Sequence, residues 1–184
     1  MKQELRSAIE EHTDVLSNVI NLGTTIDQAI SLIDDAFRRK NKVLSCGNGG
    51  SASDSQHFAS ELTGRFEKDR KGFPAFSLTT DTSALTAIGN DYGFDRVFAR
   101  QVESVGHEGD VLLVISTSGN SANLIETVSQ AKKQNISVIG LLGRDGGKLK
   151  SLVDVPIVVE GHRTSRIQEA HIFVLHYICQ FFEE

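Results

Sequence analysis

The sequence predicts a doubly wound α/β fold: a parallel five-stranded sheet with helices on both faces and two further helices at the N-terminus. Three observations predict it. From Lys42 onward, short apolar runs alternate with helical stretches. The runs are too continuous for a sheet with one wet face, so the sheet is parallel and covered on both sides. Small polar loops follow the first and third runs, at the strand ends where open α/β sheets present ligand loops.

The elements follow in order. Within residues 1–40, Leu5, Ile9, His12, Leu16 and Val19 recur at helical spacing, and Ile26, Ala29, Ile30, Ile33 and Phe37 do so again. Gly23 is read as the separator, with Thr24 or Thr25 as the cap of the second helix. The expected strands are Lys42–Cys46, Ala75–Leu78, Val111–Ser116, Val138–Leu142 and Val155–Val159. The expected helices between them are Ser51–Gly64, Ser83–Val105 (broken at Gly89–Gly93) and Ser121–Asn135, with a last one from Ser165 to Phe182. No repeat or linker divides the chain, so residues 1–184 are read as one domain.

A net charge of -5 without a basic block argues against a nucleic-acid partner. No stretch approaches the ~20 apolar residues of a membrane span. The segment from Met1 to Glu4 lacks the features of a signal peptide. Cys46 and Cys179 stand in unrelated contexts, without metal spacing or a disulfide framework. A cytoplasmic protein with no membrane contact is the expectation.

The loop after the third strand, Ser116-Thr117-Ser118-Gly119-Asn120-Ser121, offers four hydroxyls, one amide and backbone N–H groups at a helix N-terminus. That set suits a phosphate, because donors and the positive helix end converge on it. Helix capping alone would need only one of those serines. The first loop, Cys46-Gly47-Asn48-Gly49-Gly50-Ser51, loosely matches a dinucleotide fingerprint, but no acid ends the second strand to hold a ribose. Gly146-Gly147-Lys148 fails as a P-loop, since Leu142 and Leu149 stand where Gly and Ser or Thr belong.

His57 and Glu61 share one face of the helix leaving the first loop, and Arg65 continues the stripe. A solvated polar face is the alternative for that trio. Gln168, His171 and His176 interrupt an otherwise apolar last helix, where a single histidine would more often be structural. Two imidazoles, a carboxylate and an amide oxygen suit Zn²⁺. Gln168 and His176 are ~12 Å apart along a straight helix and point ~80° apart, so two chains would supply one site more easily than one.

The segments CGNGGSASDSQHFASELTGRF, IGNDYGF, STSGNSAN and RIQEAHIFVLH, in that order, resemble the phosphoheptose isomerases of the sugar-isomerase (SIS) domain superfamily. The resemblance runs nearly end to end and implies a flavodoxin-like sheet. It implies conversion of sedoheptulose 7-phosphate to D-glycero-D-manno-heptose 7-phosphate for the lipopolysaccharide core. It assigns Asn48, Gly49, Gly50, Ser51, Glu61, Asn90, Asp91, Ser116, Thr117, Ser118, Ser121 and Gln168 to the substrate. One Zn²⁺ per site would be held by His57, Glu61, Gln168 and His176, with Glu61 and His176 also the catalytic pair. It further implies a homotetramer with sites at subunit interfaces, and the helices of residues 1–40 offer surface for that association. Ser165 stands where some relatives carry Asp. Ketose–aldose exchange needs a base to move one proton and an acid for the oxygens, roles that Glu61 and His176 can fill. The alternative from another class is a non-enzymatic SIS adaptor binding the replication initiator; such relatives lack the acid that this chain keeps at Glu61.

Overall fold

The apolar runs fold as β1 (Val43–Gly47), β2 (Ala75–Ser77), β3 (Val111–Ser116), β4 (Ser137–Gly143) and β5 (Val155–Val159) in a computed structural model that describes residues 1–183. Every pairing is parallel, in the order β2-β1-β3-β4-β5. The order reverses between β1 and β3, so the crevice that opens at a switch point lies between the loops after those two strands. The helices are α1 (Lys2–Asn18), α2 (Gly23–Arg38), α3 (Gly50–Thr63), α4 (Thr82–Tyr92), α5 (Ala99–Val105), α6 (Ala122–Lys133) and α7 (Thr164–Phe181).

Alternation along the strands builds two cores. Val111, Leu113 and Ile115 pack with Ile30 and Ile33 of α2, Phe58 and Leu62 of α3, and Val174 and Ile178 of α7. Leu112 and Val114 point the other way, onto Val102 of α5 and Leu124 and Val128 of α6. All of β3 is buried, which is why its sequence is apolar without a period of two. Cys46 and Cys179 are buried free thiols. Among the described residues no helix is long and apolar enough to cross a membrane.

Three local expectations need correction. Gly23 does not separate the first two helices: a 3₁₀ turn, Val19–Leu22, joins them, and Gly23 is the first residue of α2 with φ -48 and ψ -51. The backbone stays in the right-handed well throughout, so the freedom of glycine is unused. Leu22 is the N-cap, without a side-chain cap bond, so neither Thr24 nor Thr25 caps α2. The break expected over Gly89–Gly93 lies later, from Gly93, whose φ of +87 favours glycine, through a 3₁₀ turn at Phe94–Arg96 to Phe98, while Gly89 stays inside α4.

The two N-terminal helices also differ in kind. Ile26, Ala29, Ile30, Ile33 and Ala36 of α2 are buried, whereas α1 has no buried residue. Leu5 and Ile9 stand 62% and 56% exposed. α1 is tied to α7 by polar contacts, with His12 Nδ1 at 2.8 Å from Glu169 Oε2 and Arg163 Nη1 at 3.0 Å from Glu11 Oε2. His12, read from its spacing as part of an apolar stripe, instead pairs with a carboxylate.

Candidate active site

The two loops at the switch point are bound to each other. Asn48 Nδ2 donates to Asn123 Oδ1 at 2.9 Å, and Asn123 Nδ2 returns a bond to Asn48 Oδ1 at 2.8 Å. This amide pair joins the loop after β1 to the first turn of α6. Gly49, with φ +57, turns the chain into α3, and a Cβ at Gly50 would overlap the Gln168 amide. Gly50 therefore leaves room for α7 to bring Gln168 against the start of α3.

The loop after β3 is braced from within and from behind. Gly119 N donates to Ser116 Oγ at 3.1 Å, and Asn120 N donates to Ser118 Oγ at 3.2 Å. Gly119 has φ +64 and sits against the Gly146 carbonyl, where a Cβ could not fit. Leu149 N donates to Gly119 O at 3.0 Å, and Lys148 N to Asn120 Oδ1 at 3.1 Å. The segment dismissed as a P-loop is thus the support of the serine loop. Ser121 is the N-cap of α6, yet its hydroxyl makes no cap bond. Capping alone therefore does not account for that serine.

α3 and α7 lie side by side and run in the same direction. Gly50 meets Gln168 near their starts, and further along His57 Nε2 lies 2.9 Å from His176 Nε2. Glu61 Oε1 is 3.2 Å from the same His57 nitrogen. His57, Glu61 and His176 of one chain thus meet at a single point, while Gln168 stands apart from His176, against Gly50 at the loop. Packing in parallel lets α7 serve both ends of the site, Gln168 at the loop and His176 about two turns below it.

Other residues are not brought to this point. Asn90 and Asp91 are exposed at the end of α4, and Asn90 Nδ2 donates to Asp91 Oδ1 at 2.8 Å. Arg65 lies beyond the end of α3 at Thr63, so the polar stripe stops at Glu61. His171 is fully buried beneath the site, and neither ring nitrogen has a hydrogen-bond partner. Burial holds its pKa down to about 4, although the nearby Leu142 backbone pulls the other way. Asp54 was not singled out from the sequence. It occupies the α3 stripe between Gly50 and His57, with Oδ2 buried and unpartnered. Burial raises its carboxyl to about 6 against the pull of His57.

Three electron-rich atoms crowd the trio, and one proton can bridge only two of them. A cation would satisfy all three. Donors around a tetrahedral zinc ion at ~2.0–2.1 Å are ~3.3 Å apart. The separations of 2.9 and 3.2 Å fall a few tenths of an ångström short of that. Among the described residues no group of three or more His, Cys, Asp and Glu side chains is arranged to hold a metal ion as it stands. The donor types fit zinc, and the two imidazoles need to part only slightly.

A doubly wound parallel sheet with a serine-rich loop at its switch point is the architecture of a SIS domain, and the SIS domain family model matches residues 9–143. The chain is 50% identical to a phosphoheptose isomerase of Campylobacter concisus over 184 residues, covering 100% of this chain and 97% of that protein. The structure of phosphoheptose isomerase from Neisseria gonorrhoeae superposes with a TM-score of 0.94 at 46% identity, covering 99% of this chain and 98% of that one. A phosphoheptose isomerase structure from Francisella tularensis gives 0.95 at 36% identity, covering 98% and 97%. The chain belongs to the phosphoheptose isomerase family.

Proposed function

We propose that this enzyme interconverts sedoheptulose 7-phosphate and D-glycero-D-manno-heptose 7-phosphate, supplying heptose for the lipopolysaccharide core in the cytoplasm. The observation that carries the reading is the meeting of His57, Glu61 and His176 at one point, beside loops suited to a phosphosugar. Ser116, Thr117, Ser118 and Ser121 hold the phosphate through hydroxyls and the N-terminus of α6. Asn48, Gly49, Gly50, Ser51 and Gln168 line the other wall, where the sugar chain lies.

Isomerisation moves one proton between neighbouring carbons through an enediolate. Glu61 carries that proton and His176 protonates the oxygens, each form of assistance typically contributing ~10²–10⁴-fold. His57, Glu61, Gln168 and His176 would hold one Zn²⁺ per site. When bound, the ion supplies positive charge for the developing oxyanion. With zinc bound, Glu61 would need one carboxylate oxygen free of the ion to act as the base.

Residues 1–184 form one SIS domain in this reading, with residues 1–40 used in assembly of a homotetramer. The exposed Leu5 and Ile9 of α1, and Phe173, Tyr177 and Phe181 at i, i+4 and i+8 on α7, support association. Sites at subunit interfaces fit the 44% exposure of the His57 side chain, which a neighbour would cover. Asn90 and Asp91 would then reach the site of a neighbouring copy.

The test is an NMR or coupled assay with sedoheptulose 7-phosphate beside other ketose phosphates, with zinc added. Turnover of the heptulose ahead of the others is expected. If no ketose phosphate reacts, the reading is wrong and the adaptor alternative takes its place.

A further inference from the structure

We infer that Arg70 and Glu183 form a clamp that positions Glu61 for proton transfer. Glu61 lies in the last turn of α3, which ends at Thr63, and the final carbonyls of a helix lack partners within it. Here Arg70 supplies partners for two of them, one of which also accepts from Phe73 N. Arg70 Nη2 donates to Glu61 O at 2.8 Å and Nη1 donates to Leu62 O at 3.0 Å. Its Nε donates to Glu183 Oε1 at 2.9 Å, and its guanidinium lies over the Phe73 ring at 4.9 Å. Arg70 thus caps the helix at the residue whose side chain completes the trio, with a cation at the negative end of the dipole.

Glu183 makes the clamp rigid. Its Oε2 accepts from Glu67 N at 2.9 Å and also from Lys68 N, so it ties down the loop that follows α3. The side chains of Arg70 and Glu183 are only 13% and 4% exposed. Glu183 follows the end of α7, the helix that carries His176. The end of α3 is therefore joined to α7 twice, through His57 and His176 and through Arg70 and Glu183. Together these links fix where Glu61 stands relative to His176.

The inference rests on the assignment of Glu61 as the proton carrier, and its test separates the two. Arg70→Lys keeps the charge but cannot cap both carbonyls while holding Glu183. Glu183→Gln removes the charge that holds Arg70. Each is made alone and in a Glu61→Gln background, and kcat and KM are measured with sedoheptulose 7-phosphate alongside circular dichroism. The expected result is a kcat about tenfold lower in each single variant, with KM within about twofold and the fold intact. In the Glu61→Gln background neither change lowers the residual rate further, because the clamp acts through Glu61. Folded variants that keep kcat within twofold overturn the clamp while leaving the role of Glu61 standing. A further loss in the Glu61→Gln background also overturns it, by marking general damage. Normal turnover of Glu61→Gln alone overturns both. If Glu183→Gln does not fold, Glu183→Asp, one methylene shorter with its charge kept, is read by the same criteria.

Discussion

The Nε2 atoms of His57 and His176 lie 2.9 Å apart, closer than two imidazoles approach without a proton or a cation between them. If the site takes zinc, His57→Ala loses it. Metal analysis of the purified protein should find about one zinc per chain in the parent and a small fraction of that in the variant. Equal zinc in both would place the ion elsewhere.

Glu61→Gln keeps the size and an oxygen while removing the base. The expected kcat is lower by at least ~10²-fold, with substrate binding largely retained. Near-normal turnover in a steady-state assay would remove Glu61 from the mechanism.

Ser118→Ala and Ser121→Ala act on the other end of the substrate. KM should rise and inhibition by inorganic phosphate should weaken, with kcat less affected. Ser121 is the sharper of the two, since its hydroxyl makes no cap bond and its loss costs α6 little. Unchanged KM and phosphate inhibition in both variants would put the phosphate elsewhere.

Gly50→Ala separates activity from stability. The added methyl meets the end of a flexible Gln168 side chain, which can swing away, so the melting free energy should change by less than about 1 kcal/mol. Activity should fall nonetheless, because the amide is displaced from the loop. A variant with unaltered kcat and KM would show that Gln168 need not stand there.

Acid stability should carry the signature of His171. Its folded pKa is held down to about 4 by burial, below the unfolded value of 6.5. The unfolded chain therefore takes up a proton first, and stability is lost as pH falls from about 6.5 toward 4. Asp110 adds to the loss at lower pH. Burial raises its pKa, but bonds from Lys42, His107 and Asn41 outweigh burial and lower it overall, so its contribution disappears as it protonates. Urea unfolding of His171→Leu between pH 7 and 4.5 should show a flatter pH dependence than the parent. Equal slopes would count against the assignment.

The strands and most helices were legible because burial imposes apolar patterns that a sequence displays. β3 is one example: six successive residues are buried, and the sequence there has no polar interruption before Ser116. The serine loop and the stripe through His57 and Glu61 were legible because their residue types are unusual at those places. The amide pair of Asn48 and Asn123 was not, since two asparagines 75 residues apart leave no periodic trace. The seat of Gly119 on Gly146 and the clamp of Arg70 on Glu61 were hidden for the same reason. The spacing of Gln168 and His176 gave no sign of the trio, because it measured one helix without knowing that α3 runs parallel beside it. At Gly23, composition pointed to a break that the backbone does not make.

The dependence of α1 on polar contacts has a consequence for how the protein comes together. At 17 residues it is barely above the ~12–15 at which isolated helices are marginal in water. Only Val15 and Leu16, near its end, touch the main core. Its ties to α7 through Glu11, His12, Arg163 and Glu169 weaken as salt screens them, over a Debye length of ~10 Å at 0.1 M. In a lone chain the first turns of this arm would therefore be expected to fray independently of the sheet. In the proposed assembly, covering Leu5 and Ile9 with another copy would order those turns, so stiffening of the arm and assembly would be one concentration-dependent event.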